Sequence, residues 1–189
     1  MPTPTLDHPT LPLVKAKFPD VKLLASEFRG QTTLVVPKDR IHDVMTFLRH
    51  DAATAYDLLV DVTAVDYLNY PPSKAGPAQG GRFAVVYNLV NTTTAQRLIV
   101  KSFLSPTLDT TGIVDDPALH IDSICDLWPG GEWREREVFD MFGIRFDHHP
   151  DLRRILTWET FPAHPLRKDY PLRGRGERET YIVVDREDA

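Results

Sequence analysis

One cysteine, Cys125, stands in 189 residues, so no disulfide can close within the chain. Nor can a four-thiolate zinc or iron–sulfur site be built from this chain alone. No window approaches the roughly 20 consecutive apolar residues that a helical membrane span requires. Positive charge is not in excess: 22 Lys and Arg against 27 Asp and Glu leave a net charge of -5. A general nucleic-acid binder, which neutralises phosphates with surplus base, is therefore not expected. Glycine fingerprints are missing too, because Gly80-Gly81 opens a strand candidate rather than a helix. A dinucleotide thus has no obvious pocket. The opening MPTPTLDHPTLPL has no basic n-region, no apolar h-region and no Arg before Arg29. The expectation is a chain without a secretory signal or an Arg-rich transit peptide, cytoplasmic in type.

What remains is an ordinary soluble composition, 42% apolar and 26% charged, with the length of one domain plus a tail. Thr10 is placed to cap a short helix carrying Leu11, Val14 and Phe18, ended by Pro19. Segments 21–28 and 32–36, parted by Arg29-Gly30-Gln31, read as a hairpin. Asp39 is a candidate N-cap for a helix in which Ile41, Val44, Met45 and Leu48 form an i, i+3, i+4, i+7 stripe. Three strands are expected at 58–68, 82–90 and 97–104, joined as an antiparallel meander, with a long flexible loop over 69–81. Two short helices follow, 121–128 and 132–142, separated by Pro129-Gly130-Gly131. The fold class is α+β: helices packed on a mostly antiparallel mixed sheet, with an extended C-terminal arm.

Residues 1–147 are expected to form the globular domain and residues 148–189 the arm. Prolines 150, 162, 165 and 171 each remove a donor and restrict the preceding residue, so a long helix is not expected there. Arg153, Arg154, Arg167, Lys168, Arg173, Arg175 and Arg178 share this segment with Leu152, Ile155, Leu156, Trp158, Phe161, Leu166, Tyr170 and Leu172. An extended segment cannot bury such apolar groups against itself. It needs a surface, its own body's or a partner's.

The densest charge lies in EWREREVFDMFG, where Glu132, Arg134, Glu135, Arg136, Glu137 and Asp140 alternate with Trp133, Val138, Phe139, Met141 and Phe142. Glu132–Arg136, Arg134–Glu137 and Arg136–Asp140 have ion-pair spacing, yet each such pair contributes only about 0.2–0.5 kcal/mol to a helix. Gly143 suits a left-handed stop. Three readings are open: a solvent-facing helix, an internal brace tied to Arg153 or Arg154, or an intersubunit lock. The brace is the most economical, since buried ion pairs fix register.

These residues amount to a family resemblance. Trp133, Glu135, Arg136, Glu137, Asp140, Phe142 and Gly143 continue through His149, Pro150, Asp151, Leu152, Arg153, Arg154 and Leu156. Pro165, Leu166, Arg167, Lys168, Asp169, Tyr170, Pro171 and Leu172 complete the pattern. Together they resemble the signature of the C-type subunit of NADH-quinone oxidoreductase, the 30 kDa subunit family of respiratory complex I. Two departures are Asp122, where that family usually has proline, and Ala163, where it usually has glycine. The resemblance implies a non-cofactor structural subunit of the peripheral arm, without catalytic or metal-binding residues. FMN, the iron–sulfur clusters and quinone would be held by other subunits. It implies partners among the hydrophilic-arm subunits, especially the D-type (49 kDa) subunit and also the B-type and I-type subunits, on the cytoplasmic side of the plasma membrane. Residues 165–172 would dock on those partners. A homologous scaffold in a membrane-bound hydrogenase or other-donor quinone reductase is the alternative.

Independent catalysis is poorly supported by the residues. Adjacent His148 and His149 point to opposite sides of an extended segment, so with Asp151 and His164 they make a poor metal set. His149-Pro150-Asp151 reads instead as a turn in which His149 hydrogen-bonds locally. Cys125, beside Asp126, reads as a small buried hydrophobe rather than a nucleophile.

Overall fold

The computed structural model describes residues 6–70 and 81–177. The chain runs α1 (Thr10–Lys17), β1 (Leu24–Phe28), β2 (Gln31–Val35), α2 (Ile41–His50), β3 (Leu58–Asp66), β4 (Phe83–Asn91) and β5 (Gln96–Leu104). It continues with β6 (His120–Asp122), α3 (Gly131–Phe142) and β7 (Arg145–Asp147). This is an α+β fold on a mixed, mostly antiparallel sheet. The five main strands are ordered β1-β2-β5-β4-β3. β3, β4 and β5 form the antiparallel meander, and the β1–β2 hairpin joins it through a parallel β2–β5 pairing.

Alternation decides which sheet face is covered. In β5, Leu98, Val100, Ser102 and Leu104 are buried, while the residues between them keep some exposure. In β4, Phe83, Val85, Tyr87 and Leu89 face the same interior. The stripe of α2 lies in that core, with Ile41, Val44, Met45 and Leu48 all at 0% exposure. Removing the Leu48 side chain beyond Cβ would cost about 2–5 kcal/mol.

Several local expectations need correction. Thr10 lies inside α1 rather than capping it; its hydroxyl meets the Tyr56 hydroxyl at 2.8 Å. Asp39 sits within a 3₁₀ turn, Lys38–Arg40, and does not cap α2. No helix forms over 121–128. His120–Asp122 instead pairs in parallel with Arg145–Asp147, and a single turn carries the chain from Ile124 to Trp128. The loop expected over 69–81 falls mostly outside the described residues, as does the arm beyond Glu177. Between His148 and Glu177 the chain makes turns and contains neither helix nor strand. None of the helices is long and apolar enough to cross a membrane among the described residues.

Candidate functional site

α3 ends on Gly143, whose φ of 68° gives the left-handed stop and turns the chain into β7. Burial divides this helix by face. Glu135 and Asp140 are at 0% exposure and Arg136 at 6%, whereas Trp133 is 59% exposed and Glu137 also faces out. The expected short-range ion pairs, Glu132–Arg136, Arg134–Glu137 and Arg136–Asp140, are absent among the described residues. Arg134 pairs with Asp61 of β3 at 3.1 Å. Arg136 donates to the carbonyls of Arg153 and Arg154, both at 3.1 Å, and stacks over Trp133 at 5.1 Å. Two carbonyls from a chain reversal satisfy its fork better than one carboxylate on the same helix.

Asp140 organises the segment after β7. One carboxylate oxygen accepts the backbone N–H groups of Ile155, Leu156 and Thr157 at 3.0, 2.7 and 2.8 Å. The other accepts from Thr157 Oγ1 and from Arg154 Nη1, the latter at 2.7 Å. Burial opposes ionisation of Asp140, but these donors outweigh it and hold its pKa below the usual carboxylate value. Arg154 reaches onward to the carbonyls of Phe161 and Ala163 at 2.9 and 3.1 Å. Ala163 is buried at 1%, and it is not among the positive-φ residues, so a methyl is accommodated where the family pattern has glycine.

A second anchor lies beyond. Leu166 N donates to the Met141 carbonyl, and Arg167, 3% exposed, donates from Nε to the Phe142 carbonyl at 2.6 Å and from Nη1 to the Thr110 carbonyl at 2.8 Å. Burial draws the Arg167 pKa down to about 10. Asp66 at the end of β3 accepts from Lys168 N at 2.9 Å and pairs with Arg82 at 2.8 Å. Arg82 also pairs with Asp169 at 2.8 Å. Asp66, Arg82 and Thr110 belong to this network and were not foreseen; an Asp at a strand end facing an Arg sixteen residues on leaves no periodic trace.

His164 packs at 6% exposure with Nδ1–H donating to the Asp140 carbonyl at 2.9 Å. Burial is the main cause that lowers its pKa to about 4, with Arg167 and Arg154 adding repulsion. An unfolded imidazole titrates near 6.5, so between about pH 6.5 and 4 the unfolded chain binds the extra proton and the fold does not. Stability should fall by about 3 kcal/mol as pH drops through that window. Urea midpoints measured across it would show a flatter profile for His164→Asn; parallel profiles would assign the loss elsewhere.

Glu135 makes a separate clamp. Its Oε2 accepts from Ser123 Oγ at 2.6 Å and Cys125 Sγ at 3.2 Å, and its Oε1 from Ile124 N at 2.9 Å. Burial raises its pKa, and burial followed by the charge of Glu135 pushes the Cys125 thiol up to about 12. A thiol shifted in that direction is a weaker nucleophile at neutral pH. His149 Nε2–H donates to the Glu132 carbonyl at 3.0 Å, and Nδ1 accepts from Asp151 N at 3.0 Å. His148, at a φ of 65°, faces Asp122 instead, so the adjacent histidines diverge.

The remaining signature residues lie outward or against the body. Leu152 packs against the core, while Pro150 and Pro171 are exposed. The Arg153 side chain is also exposed and, among the described residues, is bonded only to Asp151, at 2.8 Å. Leu156 and Leu166 are 65% and 53% exposed, and Leu172 stands free of cover. A groove of about 570 Å³ is bordered by Leu156, Trp158, Phe161, Pro165, Tyr170 and Leu172. Lys168, Arg173 and Arg175 stand exposed on the same segment. The site is thus an internal ionic brace beside an apolar, basic outer face.

Residues 34–176 match the family described as "Respiratory-chain NADH dehydrogenase, 30 Kd subunit". The chain belongs to this family. Among relatives, the C-type subunit of NADH-quinone oxidoreductase from Geobacter metallireducens is 41% identical over 168 residues, covering 89% of this chain and 91% of the relative. Its namesake from Acidithiobacillus ferrooxidans is 44% identical over 149 residues, covering 79% and 67%. Of solved structures, a trypsin-resistant fragment (1-134) of Nqo5 shares 29% identity with a TM-score of 0.58, covering 76% of this chain and 96% of the fragment. A chain of the membrane-bound sulfane sulfur reductase, an archaeal respiratory membrane complex, shares the fold, with a TM-score of 0.65 at 21% identity over 93% and 91%. For a 30 Kd-type subunit, the buried half of α3 and its brace are the part that holds this chain's own shape.

Proposed function

We propose that the chain is a non-cofactor structural subunit in the peripheral arm of a proton-translocating NADH-quinone oxidoreductase. FMN, the iron–sulfur clusters and quinone are held by its partners. The carrying observation is the division of labour in the signature. Asp140, Arg136, Arg154 and Arg167 are consumed inside the chain, so none is left to act on a substrate. Trp133, Glu137, Leu156, Leu166 and Leu172 are left outward beside Arg153 and Lys168, the mix of aromatic, aliphatic and basic groups that a buried protein interface uses.

The partners are the other hydrophilic-arm subunits, above all the D-type (49 kDa) subunit, with the B-type and I-type subunits adjoining. The assembly sits on the cytoplasmic side of the plasma membrane as a peripheral layer. Relatives near 40% identity carry the NADH-quinone oxidoreductase name, whereas the sulfane sulfur reductase shares the fold alone. The NADH-linked reading is therefore preferred over a scaffold serving another donor. The test is affinity capture of the tagged chain from detergent-solubilised membranes, followed by mass spectrometry. Co-purification of a D-type subunit with flavin-bearing NADH subunits is expected. A complex with a hydrogenase-type partner and no flavin subunit would overturn the NADH assignment, and a free monomer active by itself would overturn the scaffold reading.

A further inference from the structure

Cys125, Glu135 and His149 come from three separate segments: the turn after β6, the first half of α3 and the start of the arm. Their ligand-type atoms all lie within 4.8 Å of one another. We propose that these three side chains form a binding site for one borderline-soft divalent cation, Zn²⁺ by preference, which would staple the arm to the body.

The donor set and its spacing carry the inference. Thiolate, imidazole and carboxylate together are the ligands that zinc accepts, and the set does not supply the all-oxygen cage that magnesium or calcium requires. Metal–ligand bonds of about 2.0–2.3 Å at tetrahedral angles put neighbouring ligand atoms about 3.5 Å apart. Cys125 Sγ and Glu135 Oε2 stand 3.2 Å apart.

One further observation points to an occupant. Glu135 is at 0% exposure, and among the described residues it has no ion pair with Lys or Arg; Ser123, Ile124 and Cys125, all neutral, are its donors. A carboxylate buried that deeply demands a proton or a cation. Three protein ligands leave a fourth position open to water.

Binding requires local exchange only. The Cys125 thiol releases its proton to solvent and coordinates as thiolate, while Glu135 coordinates as carboxylate. His149 binds through one ring nitrogen: through Nδ1 it gives up only the bond from Asp151 N, whereas through Nε2 the ring proton moves to Nδ1 and both present bonds are given up. In the second case the Glu132 carbonyl still accepts the helical N–H four residues on. Zinc carries no redox chemistry, so the site adds a staple and no electron carrier. The inference is independent of the assembly reading: a chain that binds no metal keeps its docking face.

The test uses the untagged full-length chain, stripped with a chelator and titrated with Zn²⁺ and then Co²⁺. One zinc per chain should survive gel filtration, and the cobalt form should show a thiolate-to-metal charge-transfer band. Since Cys125 is the sole cysteine, that band can come from nowhere else. Cys125→Ala should abolish it and weaken zinc binding roughly a hundredfold, while His148→Ala leaves both unchanged. Absence of the band in the wild-type chain, or equal zinc retention by Cys125→Ala, would overturn the proposal. The wild-type spectrum decides the matter even if the variant fails to fold.

Discussion

Asp140→Ala is expected to remove about 3–5 kcal/mol of stability, a large share of the roughly 5–15 kcal/mol typical of a single domain. The loss is not that of one ion pair. Truncation leaves the Arg154 guanidinium, whose side chain is only 10% exposed, without its counter-charge, and frees the N–H groups of Ile155, Leu156 and Thr157 together. Each buried donor left without an acceptor costs about 1–3 kcal/mol unless water reaches it. Asp140→Asn keeps one acceptor oxygen but offers an amide to Arg154, so an intermediate loss is expected. Urea unfolding followed by fluorescence and by circular dichroism gives the measurement. A change under about 1 kcal/mol for Asp140→Ala would show that the reversal over 154–157 holds without its carboxylate.

Gly143→Ala should be nearly as damaging, for a different reason. A left-handed φ costs an L-residue roughly 1–2 kcal/mol, and here the added methyl would also collide with Arg167 Nη2 and sit 2.5 Å from His164 Nε2. Neither neighbour is free to yield, because Arg167 is tied to the Phe142 and Thr110 carbonyls and His164 to that of Asp140. With about 1–3 kcal/mol of overpacking added, the combined loss is about 2–5 kcal/mol, and the segment around Arg167 should lift from the body. Limited trypsin digestion reads this directly. Arg167, buried at 3%, should resist cleavage in the wild-type chain and be cut early in the variant; identical digestion patterns would mean that the anchor is not seated as described.

Both effects concern a region whose importance the sequence advertises and whose wiring it hides. The stripe on α2, the meander of β3, β4 and β5, and the Gly143 stop could all be read from periodicity and turn chemistry, because local spacing alone specifies which face of a helix or strand is apolar. The charged helix was legible as a helix, and an internal brace was among its readings. Its partners were not legible. Arg136 ignores the acids four residues away on either side and takes main-chain carbonyls seventeen and eighteen residues on. Carbonyls are present at every residue, so no pattern singles these out. Arg153 contributes its carbonyl, not its charge, to this contact. Residues 121–128 misled for a related reason. Apolar spacing suggested a helix, but Glu135 captures Ser123 Oγ and Ile124 N, and β6 pairs with β7, which fixes an extended entry and a single turn. In the arm, proline content correctly denied a helix. It could not say that Phe161, Ala163, His164 and Arg167 would be buried against the chain's own body while Leu156, Leu166 and Leu172 stay outside.

That split between inward and outward residues can be tested by capturing variants of the chain from solubilised membranes and quantifying the proposed D-type partner. Glu137→Ala combined with Leu156→Ser should retain the wild-type melting temperature yet recover at least about tenfold less partner, since truncating interface anchors costs over about 1–2 kcal/mol. Arg97→Ala, on the exposed side of β5, should recover it in full. Equal partner recovery by both variants would contradict the assignment of the outward face of α3 and the arm to assembly.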